Sequence, residues 1–472
     1  MELLKKFMEE KIDKIHFIGI GGVGMSGLAR IASSQGMRVS GSDIKESEFT
    51  RQLEKCWIPV SIGHDAKNIP SGQDVVVVVS TAVMDDNPEL IEAKRRNLKI
   101  MHRAEMLKYL GRDLKTLAVA GTHGKTTTSS MLASVIDSLG LDPTFVIGGI
   151  VLSYSTNARP GSGEFYVVEA DESDKSLLKL NPFAEIVTSI ESDHLDHYKS
   201  IDEIYDKFGQ FMSMVEEGNP VVVCGDDEKL VKLAKDNATN VITYGFSDSC
   251  DVKIIESKRV GVGSSFKVKL KSGDVVTSAI TKSPGMHNEL NATAVLTLIE
   301  ALGLDVKKAA IKLRDFEGVH RRFELVGSAN GVTVVDDYAH HPTEIKATIS
   351  AAKDLDYARV HVIFQPHRYS RASLFCEVLA DEFASAFDGV DSIIFTNVFA
   401  AGELPVPGVS GQTFLNTVLS HEGHPKATYV PRLMDVPAAI KKIAKKDDLV
   451  ITMGAGDITE IGPIILRELN RN

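Results

Sequence analysis

A chain of 472 residues with a net charge of −11 is too long for a single hydrophobic core, and division by a typical domain size predicts about three domains. Its composition, 43% hydrophobic and 25% charged, excludes a disordered chain, and no apolar run reaches the roughly 18 residues that span a bilayer. The acidic balance argues against a nucleic-acid partner, because phosphate backbones are bound by clustered Lys and Arg. The start, MELLKKFMEEK, alternates charge where a signal peptide is apolar, which predicts a cytoplasmic protein with no membrane partner. Basic residues gather locally at His320–Arg322 and His367–Arg371, enough for a small anionic ligand. Cys56, Cys224, Cys250 and Cys376 lack metal-ligand spacing and read as unpaired thiols.

In chain order, the stretch from Lys14 reads as strand, Gly-rich turn and helix, followed by the strand MRVSGSD, the start of a βαβ unit. Val75–Val79 reads as a buried parallel strand, and helical spacing runs from Asn87-Pro88 into Arg96. After Gly111-Arg112-Asp113 the pattern restarts, with a strand Thr116–Ala120, a second Gly-rich turn and a helix from about Thr127 to Leu139. Strands at 164–170, 184–190, 220–224 and 264–271 and a helix at 290–302 follow, and 319–323 reads as a junction. A last unit alternates strands at 332–336, 359–364, 392–396 and 449–453 with helices. The whole reads as α/β.

Gly19-x-Gly21-x-x-Gly24, with Gly22 inside it, follows a strand and opens a helix, and Asp43 ends the next strand. Such glycines let backbone approach a pyrophosphate on a helix N-terminus, with the acid near a ribose. The plain alternative is a tight turn with no ligand. Gly121-Thr122-His123-Gly124-Lys125-Thr126-Thr127 is a shortened phosphate loop, because Val119 stands where the standard pattern has its first glycine. Its backbone N–H groups would cradle phosphates, Lys125 would reach the terminal ones and Thr126 would ligate magnesium. In Glu169-Ala-Asp171-Glu172-Ser-Asp174, Glu169 is the expected metal carboxylate, while Glu172 or Asp174 reads as an acidic helix start. His194, in Asp193-His194-Leu-Asp196-His197, reads as a metal ligand or phosphate contact at the same sheet edge. Four later clusters place polar groups after strands or at the junction: His287-Asn288 with Asn291, His320–Glu324, Asp336–Pro342 and His367–Arg371.

Eight stretches together, HFIGIGGVGMSGLA, GTHGKTTT, EADESD, SDHLDHY, GMHNELNA, GVHRRFE, DDYAHHPTEI and FQPHRYSR, resemble the Mur ligases of peptidoglycan synthesis. They run in order from residue 16 to about residue 371. The resemblance implies three α/β domains: a UDP-binding Rossmann-like domain (1–113), a central P-loop ATPase-type parallel-sheet domain (114–325) and a C-terminal Rossmann-like domain (326–472) that closes over the site. It implies ATP-dependent joining of L-alanine to the carboxylate of UDP-N-acetylmuramate through an acyl phosphate, by a monomer or weak homodimer. By resemblance, Gly19–Gly24, Asp43, His64, Ser80, Thr81, His102 and Arg103 would hold the uridine diphosphate. The loop Gly121–Thr127 with His287, Asn288, Asn291 and Arg322 would hold ATP. Thr126, Glu169 and His194 would hold two magnesium ions, with manganese as a substitute. Tyr338, His340, Arg368 and Arg371 would orient the amino acid, and Lys125, His194, His340 and Arg371 would carry the chemistry. The sequence departs from the family at Ser189, where many relatives have Asn. Lys207 lies out of register with the carbamoylated lysine of some relatives, so no such modification is expected.

In this scheme Lys125, magnesium and an arginine spread the charge of the transferring phosphoryl group, and domain closure excludes water from the acyl phosphate. His340 or His194 would accept the ammonium proton. Competing readings are a recycling ligase that adds a preformed peptide, a nicotinamide-dependent oxidoreductase resting on the first loop alone, and a nucleotide switch that ligates nothing.

Overall fold

A computed structural model of the chain describes residues 11–172, 176–191, 198 and 200–471. The chain divides into two compact units, Met1–Ser257 with Phe266–Ala279 and Leu290–Glu317, and Lys258–Ser265 with Ile280–Glu289 and Gly318–Asn472. Among the described residues, no helix is long and apolar enough to cross a membrane.

The first sheet has five strands, β1 (Lys14–Ile18), β2 (Arg38–Asp43), β3 (Val60–Ile62), β4 (Val75–Val79) and β5 (Lys99–His102), ordered β3-β2-β1-β4-β5. All neighbours are parallel. β4 is five consecutive valines because parallel strands are covered on both faces and β-branched side chains pack well there. The strand order reverses between β1 and β4, where α/β sheets bind ligands, and the Gly19 loop and Ser80-Thr81 both leave the sheet at that point.

The second sheet contains β6 (Lys115–Ala120), β7 (Thr144–Val151), β8 (Thr156–Arg159), β9 (Phe165–Glu169), β10 (Ala184–Val187), β11 (Val221–Cys224), β12 (Val241–Gly245), β13 (Val252–Val260), β14 (Gly263–Lys269) and β15 (Val275–Ile280). Its order is β15-β14-β13-β12-β11-β10-β6-β9-β7-β8. β6 is flanked in parallel by β9 and β10, so the loops after these three strands emerge side by side. The first two sheets share one apolar core, from Ile15 and Phe17 through Met106 and Tyr109 to Phe208 and Phe211. The hairpin β7–β8 closes on the helix Val23–Ser34: Asn157 Nδ2 donates to Val23 O at 2.9 Å and Arg30 to Thr156 Oγ1 at 2.6 Å. A Cβ at Gly27 would lie 2.7 Å from Ala158 Cβ, so that approach requires glycine.

The second unit holds a six-stranded sheet, β16 (Glu324–Ala329), β17 (Val332–Asp337), β18 (Val360–Phe364), β19 (Ser392–Phe395), β20 (Lys426–Tyr429) and β21 (Leu449–Met453), ordered β16-β17-β21-β18-β19-β20. Only β16 runs antiparallel. A cluster of Phe364, Phe383, Phe387 and Phe395 fills its core with rings 5.3–5.8 Å apart in edge contacts. The expected strands and βα alternation are present. Two helix starts differ from expectation, at Lys125 rather than Thr127 and at Met286 rather than Leu290. Both shifts place polar residues in a first helical turn, where Gly124 and Gly285, each in the left-handed region, start the helix.

Candidate active site

The loop after β6 is built around two glycines at which any side chain would be strained. Gly121 has φ +135°, and a Cβ there would lie 2.1 Å from Thr188 Oγ1. Gly124 has φ +81°, and a Cβ would lie 2.7 Å from Asn291 Oδ1. The helix Lys125–Ser138 therefore begins with N–H groups that no side chain caps, the arrangement that receives an anion. Thr122 N donates to Ser189 O at 2.8 Å and His123 N to Ser189 Oγ at 3.2 Å, so Ser189 braces the loop directly. Thr122 Oγ1 accepts from Glu191 N at 2.8 Å.

Lys125 Nζ donates to Glu172 Oε1 at 2.8 Å and to Thr122 O at 3.0 Å. Burial works against its charge, but Glu172, Glu169 and Asp171 outweigh that and raise its pKa. Of the two acids expected as a helix start, Glu172 or Asp174, Glu172 has another place. It is buried against Lys125, and desolvation pushes its carboxyl up to about 7 although Lys125 opposes the shift. Thr126 Oγ1 donates to Glu169 Oε1 at 3.0 Å, while Gly148 N on β7 donates to Glu169 Oε2 at 2.7 Å. Gly148 is a site residue that sequence reasoning missed, since it has no motif around it; a Cβ there would lie 2.7 Å from Glu169 Oε1. Asn291 comes from the helix Met286–Ala301, one turn beyond His287 and Asn288. Asn288 Nδ2 donates to Pro284 O at 2.7 Å and lies 3.1 Å from His287 Nε2. His194, together with Asp174 and His197, lies outside the described residues.

At the first glycine loop, Gly19 and Ile20 both donate backbone N–H to Ser42 O, at 2.8 and 2.9 Å. Gly22 precedes the helix Val23–Ser34 and offers no side-chain cap. Asp43 Oδ2 accepts from Gly21 N at 2.8 Å, so the acid expected near a ribose also shapes the loop. Arg103, in the first turn of the helix Arg103–Leu110, donates to Asp171 Oδ2 at 3.0 Å and lies 3.6 Å from where a Gly24 Cβ would be. It thus links the first glycine loop to the acidic segment after β9. His102 caps that helix. Ser80 accepts from Val83 N in a turn, and Thr81 is exposed beside it. His64 Nδ1 lies 3.0 Å from Ser42 Oγ and 3.3 Å from Glu89 Oε1. Glu89 is a second residue not found from sequence.

In the second unit, the segments after β17 and β18 meet. His340 Nδ1 lies 3.0 Å from Tyr338 O and 3.3 Å from Glu344, two acceptors, so Nδ1 carries the proton and Nε2 is the basic nitrogen. The Tyr338 ring lies 5.5 Å from His340, edge to face, with Arg321 and Arg322 at 4.9 and 5.2 Å. Arg321 is held by buried Asp336 at 3.1 Å, and Arg322 lies 3.6 Å from Glu344. Asp337 accepts from Phe323 N and Ala339 N, each at 2.8 Å, and burial pushes its carboxyl up to about 6. Burial, reinforced by His340, Arg371 and Arg368, holds His367 down at about 3, so its ring is neutral. Arg368 has φ +68°, and its N–H donates to Phe399 O at 2.8 Å; the His367 ring stacks on Phe399 at 5.7 Å. Arg371 opens the next helical turn, with its guanidinium 5.9 Å from the Phe375 ring. All four cysteines are free thiols.

Three sheets with two separate glycine loops at helix starts, one carrying a lysine and a hydroxyl–carboxylate pair, define the architecture of a nucleotide-dependent enzyme. Three family models match in sequence: "Mur ligase family, catalytic domain" over residues 14–114, "Mur ligase middle domain" over 119–299 and "Mur ligase, glutamate ligase domain" over 321–456. The chain belongs to the Mur ligase family. It is 42% identical to the UDP-N-acetylmuramate–L-alanine ligase of Geotalea daltonii over 98% of this chain and 99% of that one. It is 43% identical to the protein of that name from Pelobacter propionicus, over 98% of this chain and 100% of the relative. The crystal structure of UDP-N-acetylmuramate-alanine ligase from Thermotoga maritima superposes with a TM-score of 0.79 at 30% identity, covering 96% of this chain and 98% of that one. A murein peptide ligase from Psychrobacter arcticus, at 24% identity and TM-score 0.70 over 98% and 99% of the two chains, shares the fold.

Proposed function

We propose that this ligase uses ATP to activate the lactyl carboxylate of UDP-N-acetylmuramate and joins it to the amine of L-alanine. The observation that carries the reading is the set of groups on the second loop, Lys125 against Glu172 and Thr126 against Glu169, 2.8 and 3.0 Å apart, in a chain alike along its whole length to proteins of that name. A carboxylate is a poor acyl donor. Its oxygen attacks the γ-phosphorus of ATP, the bond to the ADP oxygen breaks, and an acyl phosphate forms; the alanine amine then attacks the acyl carbon and phosphate leaves. The chain's part is positioning and electrostatics. The loop N–H groups seat the phosphates, and Lys125 leaves Glu172 to meet the transferring charge.

The Thr126 hydroxyl and Glu169 carboxylate form a hard-oxygen donor set that fits magnesium. Thr126 and Glu169 would hold the ion, which when bound supplies charge neutralisation at the phosphates. The first glycine loop with Asp43, His64, Ser80, Thr81, His102 and Arg103 holds the uridine diphosphate. Asn291, His287, Asn288 and Arg322 complete the ATP site. Tyr338, His340, Arg368 and Arg371 bind the amino acid, with His340 Nε2 accepting the ammonium proton. Residues 1–113, 114–325 and 326–472 form the corresponding domains.

The test is phosphate release by the purified chain with Mg-ATP and UDP-N-acetylmuramate, with L-alanine or a tripeptide as the second substrate. Release that requires L-alanine supports the reading. Release only with tripeptide moves the chain to the recycling reaction, and none with either ends the proposal.

A further inference from the structure

Beside the first glycine loop, one carboxylate gathers groups from three chain segments. Glu89 is completely buried in the first turn of the helix Pro88–Arg95. Its Oε2 accepts from Ser42 Oγ at 2.7 Å and lies 2.9 Å from His16 Nε2. Its Oε1 accepts from Asn68 Nδ2 at 2.9 Å and Asp65 N at 3.2 Å, and lies 3.3 Å from His64 Nδ1. Burial alone would raise this carboxyl, but hydrogen bonds from His16, Ser42 and Asn68 prevail and hold it at about 2, so it is an anion that only accepts.

The donor inventory then decides the state of His64. The hydroxyl of Ser42 has one proton, and Glu89 takes it at 2.7 Å. Toward His64 Nδ1, 3.0 Å away, Ser42 Oγ can therefore only accept. With Glu89 Oε1 also an acceptor, Nδ1 faces two lone-pair groups and must carry the proton. In the neutral ring, Nε2 is then the unprotonated nitrogen. Ser42 is also the residue whose carbonyl holds Gly19 N and Ile20 N, so the same contacts tie the histidine to the glycine loop.

We propose that Glu89 is a positioning residue for the sugar-nucleotide site, holding His64 as the Nδ1–H tautomer so that Nε2 is the nitrogen that meets the nucleotide. The inference rests on the reading of the Gly19–Gly24 loop as the uridine diphosphate seat.

The experiment is calorimetric titration of the full chain with UDP, and separately with ATP, for the wild type, His64→Ala, Glu89→Gln and the double variant. His64→Ala and Glu89→Gln should each weaken UDP binding about tenfold, the low end of what losing an orienting carboxylate costs at histidine metal sites, leave ATP binding unchanged, and show no further loss when combined. A Glu89→Gln penalty that persists in the His64→Ala background, or no penalty at all, overturns the proposal. Ser42→Ala keeps the buried carboxylate and removes one acceptor from Nδ1, so it tests the same link should Glu89→Gln not fold; its effect must also vanish without His64. Nitrogen-15 NMR of the wild type reads the tautomer directly, and a proton on Nε2 of the neutral ring overturns it. If the wild type binds no UDP, the reading of the loop itself falls, a result distinct from the others.

Discussion

Glu185 stands in β10 between Ala118 of β6 and Val221 of β11, fully buried, and among the described residues neither carboxylate oxygen has a hydrogen-bond partner. Burial alone pushes its carboxyl well above the ordinary value of 4.5, so the folded chain keeps it neutral. A neutral group with unmade hydrogen bonds costs about 1–3 kcal/mol. The unfolded chain releases this proton above about pH 4.5 while the folded chain retains it, so stability falls as pH rises from there toward the folded pKa, by at most about 1.4 kcal/mol per pH unit. Glu185→Met has a similar length and nothing to hydrogen-bond. It should stabilise the protein by about 1–3 kcal/mol near pH 5, and by a margin that widens as pH rises toward the folded pKa. Urea denaturation of both proteins across that range measures it. A margin that does not change with pH, or a variant less stable throughout, would refute the reasoning, because either means that Glu185 is ionised and satisfied in the fold.

Replacing Lys125 with Met should lower phosphate release by roughly 10²–10³-fold. The fold should persist, because Glu172, already pushed up to about 7, can become neutral once its cation is gone; circular dichroism alongside the assay checks both. Gly124→Ala forces a left-handed φ of +81° on a residue with a Cβ that meets Asn291. It should cost on the order of 1–2 kcal/mol and weaken ATP binding, read by thermal melting and calorimetry. Glu89 behaves opposite to Glu185: held near 2 against 4.5, it contributes on the order of 3 kcal/mol that is fully present above about pH 4.5 and is lost as pH falls toward 2. Glu89→Gln should therefore be less stable at neutral pH and converge with the wild type in acid titrations.

The α/β architecture and both glycine turns were legible because their signals are local. β-branched runs such as Val75–Val79 specify buried parallel strands, and glycines with positive φ, Gly19, Gly121 and Gly124, mark turns whatever surrounds them. The hairpin β7–β8 was not read, because β8 has only four residues and its pairing with β7 shifts register between Val146 and Val151. The place of Glu172 was not read for a similar reason: nothing near it in sequence shows that Lys125, 47 positions away, lies 2.8 Å from it.

From the sequence came the two glycine loops, the lysine in the second of them and the succession of α/β units, because strand periodicity, turn glycines and a loop lysine are set over a few residues. The tertiary structure alone decided how those residues are held. Ser189 braces the loop at His123, Gly148 holds Glu169, Asn291 closes on Gly124, and Glu89 sets the proton on His64. Each of these is a contact between residues 21 to 167 positions apart. Such contacts exist only after parallel crossovers bring separate strand ends to one edge, and that return path leaves no local mark on the chain.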